Sequence, residues 1–239
     1  MGLELLKSVT GRTLVESHRG AEGLAPENSW PALHLGRQMG ADLIEVDVQA
    51  SQDEVLFLRH NYRLPDGRWC NQLPWSVLKS VTIQNEPLPL LEDVLAWARD
   101  AGLCLSLDIK TAFSPEGRLT QQVIRLLERT QMKDHVLLLF FDHAEVARVK
   151  CAYPELAVRA LLRGRLANYA DYLKTLGADC VSISYDIFRP GDIEQIHSIG
   201  VAAALGDMWN LDVHLLQTLD IDIFSYANPA EAKVILGYQ

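Results

Sequence analysis

Leu43-Ile44-Glu45-Val46-Asp47-Val48 sets two acids in strict alternation with apolar residues. A strand sends successive side chains to opposite faces, so Glu45 and Asp47 share one face while Ile44, Val46 and Val48 share the other. Two neighbouring carboxylates on a buried strand repel each other, which costs free energy unless a cation, a proton or a hydrogen-bond network compensates. A divalent metal is the simplest compensator, although a lone Glu-x-Asp strand is more often a solvated sheet face. The flanking sequence favours the metal. His18-Arg19-Gly20 closes the apolar run at 14–18, Pro26-Glu27-Asn28 follows, and His60 ends Val55-Leu56-Phe57-Leu58-Arg59. Packing alone requires none of these spacings. His34, in the helical segment between the motifs, reads as a structural or surface residue.

Outward from this stretch the pattern becomes regular. A first strand at 14–18 leads to a helix capped by Asn28 or Ser29, with Ala32, Leu35, Gly36 and Met39 on one stripe and Gly40 as its stop. After the second strand, Gln52-Asp53-Glu54 reads as a tight turn, and 54–60 returns too soon for a helical crossover, which makes it an antiparallel excursion. Residues 61–87, with Pro65, Gly67, Trp69, Pro74, Trp75 and Pro87, show little periodicity and read as an inserted loop. Trp69 and Trp75 are candidates for a cleft wall or for burial within the insertion. Leu91, Val94, Leu95 and Ala98 then make a helical stripe ended by Gly102, and 103–110 forms a third strand whose polar face carries Asp108 and Lys110. Further strands are expected at 135–141, 156–161, 180–184, 200–205 and 221–225, with helices at 119–129, 143–151, 165–176, 190–198 and 211–219.

Strands alternating with helices imply parallel pairing and right-handed crossovers, hence a (β/α)8 TIM barrel spanning 1–239 as one domain with 61–87 inserted after the second strand. An open doubly wound sheet is the alternative. The closed barrel is favoured because His18, Glu45, Asp47, Asp108 and Lys110 fall at or near the C-terminal ends of the first three strands, where such barrels keep their chemistry. Neither a GxGxxG nor a P-loop motif is present.

With 239 residues, 49% hydrophobic and 22% charged, the chain can bury the core of one large domain, and its longest apolar run, 136–141, is far too short to span a membrane. Residues 1–7 carry neither a secretory nor a myristoylation pattern, so a cytoplasmic setting is expected. Cys70, Cys104, Cys151 and Cys180 are scattered without CxxC spacing, which argues against both a disulfide framework and a zinc site. A net charge of −9 argues against nucleic acid as a partner. A small anionic substrate remains compatible with it, provided Arg19, Lys110 and a bound cation supply a local positive focus.

His18-Arg19-Gly20, Pro26-Glu27-Asn28, Gly40-Ala41-Asp42, Glu45-Val46-Asp47-Val48, His60 and Pro89-Leu90-Leu91-Glu92-Asp93-Val94-Leu95 together resemble the glycerophosphodiester phosphodiesterases in order and spacing, over roughly the first 110 residues. The resemblance implies a (β/α)8 barrel and metal-assisted hydrolysis of a glycerophosphodiester, a small molecule, to glycerol 3-phosphate and an alcohol. It makes His18 and His60 the general acid and base and Glu45, Asp47 and Asp108 the ligands of a divalent cation, Mg²⁺ or Ca²⁺. Arg19 and Lys110 would contact the phosphate, and Glu27 and Asn28 would brace the site.

Three features depart from the family pattern. The usual Glu-x-Lys is Asp108-Ile109-Lys110, and the usual His-Asp is His60-Asn61. The usual C-terminal Trp-Thr-Val-Asn and Thr-Asp motifs are replaced by Ala203-Ala204-Leu205-Gly206-Asp207-Met208-Trp209-Asn210 and Ser225-Tyr226. Two other readings stay open at this point: a phospholipase of the lysophospholipase D or sphingomyelinase D kind, and an inactive ligand-binding barrel.

Overall fold

The structure is a computed structural model that describes residues 11–206 and 212–238. The readings made on residues 1–7 and on 207–210 lie outside the described residues. Strand β1 (Leu14–Ser17) runs into helix α1 (Trp30–Gln38), where Ser29, not Asn28, is the cap, its hydroxyl accepting from the Ala32 amide. The buried stripe of α1 is Ala32, Leu33 and Gly36, so Leu33 takes the place expected for Leu35 and Met39. Strand β2 (Leu43–Ala50) follows, then β3 (Leu56–Leu58), which turns back antiparallel with Leu58 opposite Val48.

The insertion is more ordered than a loop. It contains a 3₁₀ turn (Cys70–Gln72), helix α2 (Trp75–Leu78) and a small hairpin of β4 (Thr82–Ile83) and β5 (Glu86–Pro87). Phe57, Leu64, Cys70, Leu78 and Leu88 give it an apolar centre of its own. That centre forms from side chains scattered along the sequence, which is why no period announces it.

The remaining units alternate as expected: α3 (Leu91–Ala101), β6 (Cys104–Ile109), α4 (Arg118–Thr130), β7 (Val136–Phe140), α5 (His143–Ala152), β8 (Ala157–Leu161), α6 (Tyr169–Leu176), β9 (Cys180–Ser184), α7 (Pro190–His197), β10 (Ala202–Gly206), α8 (Val213–Thr218), β11 (Ile223–Tyr226) and α9 (Pro229–Ile235). Helix α6 begins at Tyr169 and not at 165, because the Asn168 side chain accepts from the Asp171 amide and caps it there. Strand β1 pairs in parallel with both β2 and β11, which closes the sheet into an eight-stranded barrel and excludes the open doubly wound alternative.

Alternation along the strands builds two layers. Outward residues such as Val15, Ile44, Val46, Leu107, Leu138 and Val181 pack against the helices. Each such side chain, fully buried, contributes about 1.5–3 kcal/mol of transfer free energy. Inside the barrel, Leu14, Leu43, Cys104, Leu137, Cys180, Ala202 and Ile223 form an apolar plug near the N-terminal ends of the strands. Two residues further along come Glu16, Glu45, Ser106, Arg159, Ser182 and Ser225, so the interior turns polar toward the C-terminal mouth.

At the opposite end, three aspartates clamp neighbouring strands. Asp42, Asp179 and Asp222 each stand immediately before a strand. Each carboxylate accepts from an amide of the preceding barrel strand: Val15 at 2.9 Å, Val158 at 2.9 Å and Ala203 at 2.8 Å. Their own amides donate back to the carbonyls of the same three residues at 2.8, 3.0 and 2.9 Å. No helix among the described residues is long and apolar enough to cross a membrane.

Candidate active site

Glu45 and Asp47 on β2 and Asp108 on the adjacent β6 meet at the C-terminal mouth, in register Glu45↔Ser106 and Asp47↔Asp108. One oxygen from each carboxylate lies within 4.8 Å of the others, and all three side chains are buried. The turn after β1 arrives beside them. Arg19 takes a left-handed backbone conformation (φ 49°), and its amide donates to Glu45 Oε2 at 2.8 Å. Gly20 follows at φ 74°, where a Cβ would stand 2.6 Å from the Ala32 backbone, so only glycine fits. Asn28, also left-handed at φ 55°, locks Asp47 from both sides: its Nδ2 donates to Oδ2 at 2.7 Å, and its Oδ1 accepts from the Asp47 amide at 2.9 Å.

Two cations stand among the acids. Lys110 Nζ lies 2.6 Å from Asp47 Oδ1 and also bonds Asp108 Oδ2. Arg19 bonds Glu27 at 2.7 Å and places Nε 3.3 Å from Asp47 Oδ2. Burial pushes the Asp47 carboxyl up, but Lys110 and Arg19 outweigh it and hold the group below the ordinary aspartate range. Burial, reinforced by the Asp47 charge, pushes Glu45 up to about 8. Asp108 is also raised, by burial and by Asp47 against the pull of Lys110. Lys110 itself is raised: burial works to lower it, and the two aspartates overcome that.

The histidines flank this cluster. His18 Nδ1 meets Glu22 Oε1 at 2.5 Å, and its Nε2 faces Glu45 Oε2 at 3.9 Å. Burial works to lower His18, yet the bond to Glu22 and the charge of Glu45 carry it up to about 9. His60 is lowered, chiefly by burial. Its turn is pinned by Gln49, whose Nε2 donates to the carbonyls of Arg59 at 2.7 Å and Asn61 at 3.0 Å.

All nine sequence-derived candidates therefore converge on this mouth. His18, Arg19, Glu45, Asp47, His60, Asp108 and Lys110 line one cavity of about 830 Å³, and Glu27 and Asn28 stand behind it. Phe141, Leu139, Leu161 and Ile183 supply an apolar wall, and Arg163 lies 4.4 Å above the Phe141 ring. Trp69 and Trp75 do not line the cavity. Trp75 packs on Phe57 inside the insertion, and Trp69 packs on Phe113 beneath Arg63.

The carboxylates suit a hard divalent cation. Their donors are all oxygens, and Asp108 Oδ1 is buried with no hydrogen-bond partner among the described residues. Three charged positions of the cavity escape a motif-based reading: Glu22, which holds His18, and the pair Glu16 and Arg159 at its floor. The available signal for the last two was a single charge of opposite sign in each of two otherwise apolar strands, Leu14-Val15-Glu16 and Ala157-Val158-Arg159-Ala160-Leu161.

Residues 18–229 match the model of the glycerophosphoryl diester phosphodiesterase family. The chain belongs to that family. Members of this phosphodiesterase family are hydrolases, and the present one is an enzyme of that kind. A glycerophosphodiester phosphodiesterase of Bacillus altitudinis is 26% identical over 183 residues, covering 70% of this chain and 73% of that one. The crystal structure of a glycerophosphodiester phosphodiesterase from Parabacteroides distasonis superimposes with a TM-score of 0.81 at 22% identity, over 95% of this chain and 98% of that one. A phosphodiesterase of Oleispira antarctica, solved in complex with the product sn-glycerol-3-phosphate, gives a TM-score of 0.80 at 23% identity, with 95% and 98% coverage.

Proposed function

We propose that this enzyme hydrolyses glycerophosphodiesters to glycerol 3-phosphate and an alcohol, with Glu45, Asp47 and Asp108 holding a divalent cation, Mg²⁺ or Ca²⁺. The observation that carries the reading is the convergence of three buried carboxylates and two histidines on one cavity at the barrel mouth. When bound, such a cation supplies Lewis-acid polarisation of the phosphoryl group and an orienting point for the attacking water. The chain's own residues do the rest. One histidine takes a proton from the attacking water as its oxygen bonds to phosphorus, and the other delivers a proton to the alcohol oxygen as its bond to phosphorus breaks, leaving glycerol 3-phosphate and the alcohol. His18 and His60 are displaced in opposite directions from the ordinary histidine value, the pattern that separates an acid from a base. Glu22 holds the outer nitrogen of His18 and so turns Nε2 inward. Arg19 and Lys110 contact the phosphate from the cavity wall, and Glu27 and Asn28 keep Arg19 and Asp47 in place.

In this reading the whole chain works as one barrel domain carrying the 61–87 insertion, acts on a small molecule and resides in the cytoplasm. The test is release of glycerol 3-phosphate from a panel of glycerophosphodiesters, with chelator and with added Mg²⁺ or Ca²⁺. Release that depends on the divalent ion is expected. Absence of release from every diester with both ions supplied would refute the reading.

A further inference from the structure

The barrel floor holds a buried cation that the proposed mechanism does not use. Arg159, 2% exposed, points from β8 into the same cavity as the acids. It meets Glu16 through one nitrogen only, Nη2, at 2.7 and 2.9 Å from the two carboxylate oxygens. Ser106 also donates to Glu16 Oε2, so both carboxylate oxygens are engaged. Arg159 Nε and Nη1 have no hydrogen-bond partner among the described residues. Buried donors are left open in this way at few places in a folded protein, and a binding site is one of them. Ser182, Ser184 and Ser225 line the same cavity.

The charge balance selects the kind of ligand. The guanidinium is already neutralised by Glu16, so the open N–H groups offer hydrogen bonds without a spare positive charge, and a second anion seated there would be a buried, unpaired charge. Neutral oxygen acceptors fit, and serine hydroxyls, which both donate and accept, complement the hydroxyls of a polyol. We propose that Arg159, with Ser182 and Ser225, forms a floor subsite that reads the hydroxyl groups of the substrate's buried polyol end. This rests on the phosphodiesterase reading and extends it to a determinant of specificity outside the acid and histidine cluster.

The test compares binding of sn-glycerol 3-phosphate and propyl phosphate, which shares the phosphate and three-carbon chain but lacks the hydroxyls, by calorimetry with Mg²⁺ present. A preference for the glycerol ester of about 10-fold or more is expected, the scale of one or two hydrogen bonds to otherwise unpaired buried donors. In Arg159→Lys, which keeps a charge for Glu16 but removes the forked donors, the ratio of affinities falls toward unity. The double variant Glu16→Gln with Arg159→Met, which replaces the pair with neutral side chains, gives the same collapse, and melting curves verify that each variant is folded. Equal affinities in the wild type, no binding of the glycerol ester at millimolar concentration, or an unchanged ratio in a folded variant would overturn the proposal. Failure of the phosphodiesterase reading shows separately, as preferential binding of the glycerol ester by a protein that releases none from any diester in the presence of Mg²⁺ or Ca²⁺.

Discussion

Asn28→Ala isolates the contribution of the turn that holds Asp47. Asn28 is wholly buried, and its side chain makes two bonds to Asp47, one to the carboxylate and one from the backbone amide. Losing the bond to the charged carboxylate costs about 1.5–3 kcal/mol, and leaving the buried amide unpaired costs about 1–3 kcal/mol. Alanine at φ 55° adds strain that asparagine largely avoids, roughly 1 kcal/mol. Partial relaxation and water entry reduce the sum, so the expected loss is about 3–5 kcal/mol, a large share of the roughly 5–15 kcal/mol that stabilises a typical domain. Urea denaturation followed by circular dichroism measures it, and the melting temperature should fall by about 6–20 °C for a chain of this size. A loss below ~1 kcal/mol with an unchanged denaturant slope would show that the reciprocal bonds to Asp47 contribute little, and the account of how this turn is held would have to be withdrawn.

Three further outcomes follow from the same geometry. His18→Ala and His60→Ala should each lower kcat by ~10²-fold or more in a protein that still folds, and the double variant should lose much less than the product, as residues serving one step are non-additive; near-native turnover in a folded single variant removes that histidine from the mechanism. Asp108→Glu, which supplies the longer side chain usual in the family, should retain or raise divalent-dependent activity, and the absence of any metal response in both forms would argue against Asp108 as a ligand. Glu16 is pushed up by burial, but Arg159 and its hydroxyl partners hold it below the ordinary glutamate value of 4.5. Its contribution to stability is therefore present above pH 4.5 and lost as pH falls through the lower folded value, so acid denaturation of Glu16→Gln should begin from a less stable protein and show a shallower pH dependence below 4.5; parallel curves would count against that role.

The barrel and most of the mouth were legible because strand alternation and helix stripes report which face is buried. Glu45 and Asp47 announce their shared face, and Gly40 and Gly102 mark helix stops. What escaped were properties set by contacts between distant residues. The insertion's apolar centre joins Phe57 to Leu88 without a period, and the engagement of Glu16 with Arg159 spans 143 positions across the barrel axis. Glu22 was hidden for another reason: it lies in a turn with no periodicity, and only the fold shows that its carboxylate reaches His18. Lys110 was read as a phosphate contact, and its bonds to both Asp47 and Asp108 depend on the exact pairing of β2 with β6.

The clamps of Asp42, Asp179 and Asp222 lie at the end of the barrel remote from the chemistry, yet they act as error protection for it. Each ties a strand to its predecessor over a short separation of 27, 21 or 19 residues, so each can close within one βαβ unit before the barrel is complete. A slip of β2 by one residue would turn Glu45 and Asp47 into the apolar layer beneath the helices, and a slip by two would move them about 6.6 Å along the axis, out of reach of Asp108. Either slip would break the two-way bond between Asp42 and Val15. These three aspartates lie outside the rim loops, so the register they hold does not depend on the sequence of the mouth.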